Sequence, residues 1–116
     1  MTILTASQEI EEKPRNIVNQ TLLWHGVTIR VGYEADWLGL GDGFESHAHL
    51  DLQVMEPKGA PLPVTDTGYR SEFLGSGEVE EAGGVVAYVT AWLDEMAGTK
   101  SWRIARARWE QRDLFE

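Results

Sequence analysis

Cysteine is absent from all 116 residues. That excludes a disulfide framework, a thiolate metal site and a cysteine nucleophile, and suits a reducing compartment. No apolar run approaches the roughly 20 residues needed to cross a bilayer. The first residues, MTILTASQEIEEKPRN, lack a basic stretch followed by an apolar one. A cytoplasmic protein without membrane contact is expected. Positive charge is scarce: ten Lys and Arg against nineteen Asp and Glu give a net charge of −9. Phosphate contact needs concentrated Lys and Arg, so no direct nucleic-acid binding is expected, and a protein partner is easier to accommodate. The serines at 46, 71, 76 and 101 stand outside any G-x-S-x-G context, and the run from Gly39 through Gly41 to Gly43 lacks the G-x-G-x-x-G spacing of a phosphate loop.

The length fits one domain with a real hydrophobic core. Its clearest pattern is Ser46 to Glu56, SHAHLDLQVME. Ala48, Leu50, Leu52 and Val54 point one way and His47, His49, Asp51 and Gln53 the other, the alternation of a half-buried strand. Upstream, Leu22 and Trp24, then Val27, Ile29, Val31 and Tyr33, alternate around a tight turn at His25-Gly26, which predicts a hairpin or else one long strand bulged at Gly26. Residues 1–18 read as a mobile arm. Residues 60–73, with Pro61, Pro63 and the turn-forming Thr65-Asp66-Thr67-Gly68, read as a long loop anchored by Tyr69 and Phe73. Tyr69 and Arg70 either contact a partner or hold that loop.

The last third is helical. Val85, Val89, Trp92 and Met96 make one apolar stripe, flanked by Val86 and Leu93; Thr99 suits a helix N-cap, and Trp102, Ala105 and Trp109 share a face. Glu78, Glu80 and Glu81 form an acidic turn before them. The expected fold is α+β: a small antiparallel sheet of about three strands on two C-terminal helices, spanning residues 19–110, with a tail at 111–116.

Two constellations could carry function. His47, His49 and Asp51 lie on one strand face at a spacing that suits metal ligands. The run H-A-H-L-D resembles the metallo-β-lactamase motif H-x-H-x-D-H but has Leu52 where the last His should stand, and the chain is about half the length that fold needs. No metal or other cofactor is expected, and the protein is read as a non-enzyme. The second is Gln111-Arg112-Asp113-Leu114-Phe115, which resembles the bacterial sliding-clamp-binding peptide: Gln, any residue, Ser or Asp, Leu, Phe. The resemblance implies Gln111 as a polar anchor, Asp113 as spacer and Leu114 with Phe115 as the apolar plug. Such a peptide-in-groove mode suits a chain end. Four defined positions match by chance on the order of once in 10⁵ sites.

The runs PLPVTDTGYRSEFL and EAGGVVAYVTAWLDE are similar to those of small uncharacterised proteins carried by bacterial plasmids and genomic islands, which implies mobile-element biology. The expected function is a non-enzymatic interaction protein that engages the sliding clamp through its tail. The alternatives are an acidic decoy that mimics nucleic acid and a small metal-dependent hydrolase on His47, His49 and Asp51.

Overall fold

The computed structural model describes residues 17–36 and 47–112. Strands β1 (Ile17–Trp24) and β2 (Val27–Glu34) form a hairpin, closed by His25 and Gly26 at φ 48° and 82°. Two consecutive left-handed residues make the turn whose twist matches that of paired strands. β3 (His47–Glu56) adds to β2, and β4 (Tyr69–Gly75) adds to β3, giving an antiparallel sheet in the order β1-β2-β3-β4. Ile29 pairs with Val54 but Thr28 with Glu56, so Met55 is an extra residue that bulges β3.

The alternation predicted from sequence sets the two faces. Leu22, Trp24, Val27, Ile29, Val31, Ala48, Leu50 and Leu52 are all buried on one of them. Each large apolar side chain there contributes about 1.5–3 kcal/mol by leaving water. The opposite face carries Arg30, His47, His49, Asp51 and Gln53, none of them buried.

Among the described residues four strands replace the expected three, and the addition begins inside the segment read as a loop. In β4 the residues that share a face with Leu50 and Leu52 are Arg70, Glu72 and Leu74, and of these only Leu74 is apolar. A strand with one apolar inward position shows no apolar alternation to reveal it. The start of β1 is a similar correction. Ile17 and Val18 belong to a strand rather than to the arm, because backbone pairing with Tyr33 and Glu34 fixes them while residues 17–21 bury no side chain. Residues 1–16 and the glycine-rich stretch from Trp37 lie outside the described residues.

Among the described residues three helices cover the apolar face, where two were expected. The acidic turn is a helix, α1 (Ser76–Ala82), whose Glu78 carboxylate accepts the Gly75 N–H at 3.0 Å and whose Val79 is buried. The link Gly83-Gly84, at φ 100° and 118°, leads into α2 (Val85–Met96). Val89 and Leu93 are fully buried against the sheet, while Val85, Tyr88, Trp92 and Met96 pack at the rim. Thr99 caps α3 (Lys100–Gln111) by accepting the Trp102 N–H at 3.2 Å. Trp102 is buried, and Ala105 and Trp109 pack partly against the core. α3 therefore runs to Gln111, the residue with which the tail was expected to begin.

Between β3 and β4 the chain wraps the core. Ala60, Leu62 and Val64 are buried, Leu62 and Thr65 exchange backbone hydrogen bonds at 3.1 and 3.2 Å, and the Thr65 hydroxyl donates to the Tyr69 carbonyl at 2.9 Å.

Candidate functional site

The open sheet face is a polar lattice. Arg30 Nη1 donates to Asn19 Oδ1 at 3.0 Å, and Arg30 Nη2 lies 3.2 Å from Asp51 Oδ1 as an ion pair. His49 Nε2 sits 3.0 Å from Ser71 Oγ, its ring tilted against Phe73 at 4.9 Å. His25 is remote from this group. It stacks on Trp24 at 4.0 Å at the turn end of β2, whereas His49 lies opposite Glu34 at the other end. Among the described residues, no three of His, Asp and Glu gather closely enough to hold a metal ion. The His49 and Ser71 contact lies on a strand surface where Ser71 is exposed, so water is not excluded from it. A hydroxyl beside an imidazole does not by itself make an activated nucleophile.

Gly32 makes room for the ion pair. A Cβ there would meet Asp51 Oδ1 at 2.9 Å, Oδ2 at 3.1 Å and Arg30 Nη1 at 3.2 Å. The atoms met are the tips of flexible side chains, so Gly32→Ala should displace the Arg30–Asp51 pair and lower stability by less than about 1 kcal/mol, although alanine normally improves on glycine inside a strand. Urea unfolding checks this, and in an Asp51→Ala background the same substitution should become neutral or stabilising.

Arg70 turns inward. Its Nη1 donates to the Val64 carbonyl at 3.0 Å, its Nε to Glu72 at 3.0 Å, and its guanidinium lies 5.6 Å from the Trp92 ring centre. It ties the wrapping segment to β4 and α2. Tyr69 faces the other way, 46 % exposed opposite Gln53.

The acids of α1 lie near tyrosines of the sheet and α2. Burial, then the Glu80 charge, raises the Tyr33 phenol above its ordinary value. Tyr88 is raised by burial, then by Glu78 and Glu72. Arg30 pairs with Asp51 and Arg70 with Glu72 on the sheet, and Arg106 with Glu110 within α3; none of these pairs joins α1 to α3, which carries Lys100, Arg103, Arg106 and Arg108.

At the far end of α3, Gln111 is exposed, and the Arg112 guanidinium stacks 3.5 Å from the Trp109 ring centre. Asp113, Leu114 and Phe115 lie outside the described residues. A feature that periodicity did not disclose is a cleft of about 160 Å³ lined by Trp24, His25, Pro57, Pro61, Trp102 and Trp109. Each tryptophan reads from sequence as a core residue; the notch arises only where β1, the wrapping segment and α3 meet. It is smaller than the roughly 300–1,000 Å³ typical of cofactor pockets.

No curated protein and no solved structure matches the chain. A family model described as the KlcB third domain matches residues 17–102. The match opens on the first residue of β1 and closes on Trp102, the buried residue in the first turn of α3. It thus takes in the sheet, α1, α2 and the anchor of α3, and leaves the rest of α3 and the tail outside. The plasmid-protein resemblance of the runs around Tyr69 and Val89 falls within it, and the chain belongs to the KlcB third domain family, a plasmid-associated family.

Proposed function

We propose that the chain is a non-enzymatic interaction protein whose C-terminal segment, Gln111 to Phe115, binds the bacterial sliding clamp. The observation that carries this reading is the sequence Gln-Arg-Asp-Leu-Phe at the end of α3, beyond the residues matched by the family model. Gln111 is exposed at the last position of α3, as a polar anchor must be. Nine of the twelve residues of α3 are exposed, and beyond Trp109, which packs on the core, the helix end can be remodelled on binding at little cost. The sheet and its helices act as the carrier of that peptide.

Titration of the full chain against a purified clamp should give micromolar binding. Gln111→Ala combined with Leu114→Ala and Phe115→Ala should abolish it while leaving the circular dichroism spectrum unchanged. Absence of binding by the unaltered chain, or equal binding by the triple variant, would discard the reading. Binding that instead collapses with salt and favours a basic protein would point to an acidic decoy.

A further inference from the structure

We infer that two copies of the chain join through the outer edge of β1, extending the sheet to eight strands. The hairpin geometry decides which backbone groups are free. A two-residue turn is closed by a hydrogen-bonded pair, here Trp24 and Val27. By alternation, Val18, Gln20, Leu22 and Trp24 aim their backbone groups at β2. Ile17, Asn19, Thr21 and Leu23 aim theirs outward, where among the described residues nothing pairs with them.

Edge strands are ordinarily guarded by charge, proline, a bulge or a cover. β1, IVNQTLLW, has no charged residue and no proline, pairs without a register break, and exposes Ile17, Val18 and Leu23 at 47, 53 and 71 %. The other edge is guarded. β4 carries Arg70 and Glu72, and the hydroxyls of Thr65 and Thr67 occupy the Tyr69 carbonyl. Assembly at β1 alone closes as a two-fold dimer instead of a fibre.

The occupant is set by self-complementarity. Placed antiparallel about an axis at Gln20, the strand puts Ile17 opposite Leu23 of the other copy, Asn19 opposite Thr21, and Gln20 opposite itself. All four outward residues then find partners, apolar against apolar and polar against polar. A neutral strand is also where two chains of net charge −9 can approach with least repulsion.

Sedimentation equilibrium of the full chain at micromolar concentration should give twice its 13.0 kDa mass. Gln20→Lys, which sets two like charges face to face at an exposed position, should return a folded monomer. The chain has no cysteine of its own, so a single introduced thiol reports the register. In a non-hydrogen-bonded pair the Cα atoms are about 4.5 Å apart, within disulfide reach. Gln20→Cys should therefore yield a covalent dimer on mild oxidation, while Val18→Cys, which faces Leu22 of the other copy, should not. A monomeric unaltered chain, a dimer unaffected by Gln20→Lys, or equal cross-linking at positions 18 and 20 would overturn the inference.

Discussion

Trp24→Ala should cost about 3–5 kcal/mol and leave the chain largely unfolded at temperatures where the unaltered protein is native. Trp24 is 3 % exposed, stacks on His25, meets Trp102 at 5.7 Å between ring centres, and donates its indole N–H to Asp94 at 2.8 Å. It touches β1, the turn, α2 and α3 together, so no single element can relax into the space it leaves. A domain of this size has only about 5–15 kcal/mol to lose, and the thermal midpoint should fall by roughly 10–25 °C. Trp24→Phe separates packing from the hydrogen bond. Most ring contact survives, Asp94 is exposed and returns to water, and the expected cost is about 1–2 kcal/mol. Calorimetry on the two variants checks the order, and a phenylalanine variant as unstable as the alanine one would show that the hydrogen bond dominates.

Leu93→Ala should cost about 2–5 kcal/mol, against less than about 0.5 kcal/mol for Ile104→Ala. Both are large aliphatic residues on amphipathic helices. Leu93 is 0 % exposed, on the face of α2 that presses on the sheet beside Val89, whereas Ile104 is 46 % exposed on α3. Removing three side-chain carbons from a closed interior leaves a cavity, and removing them from the surface leaves water. Urea midpoints, with equal slopes in the two variants, would measure the contrast; near-equal losses would mean that α3 is as deeply seated as α2.

The same contrast explains what the sequence discloses. Burial on one side writes a period into the chain, so the faces of β2 and β3, the stripe of α2 and the Thr99 cap are legible from residue order. β4 is not, because Arg70 and Glu72 occupy two of its three inward positions and satisfy each other, the Val64 carbonyl and the Trp92 face instead of the core. The first five residues of β1 are exposed on both faces and carry no period at all. For the candidate sites, H-x-H-x-D is a local spacing. Whether it becomes a ligand set depends on cross-strand neighbours, and these are Arg30, Ser71 and Phe73. The tail peptide proposed as a clamp ligand is legible as a string alone, because Asp113, Leu114 and Phe115 lie outside the described residues.

The sheet order β1-β2-β3-β4 also bears on how the molecule is made. Among the described residues every strand pairs with its neighbour in the chain, so none of these pairings waits for a distant segment. Local pairings lower contact order, which places such a sheet among the faster β-containing folders. On a ribosome the β1–β2 hairpin can close first, and each later strand adds to an edge already formed before the helices seal the apolar face. The strand that emerges first is left at the margin of the finished sheet.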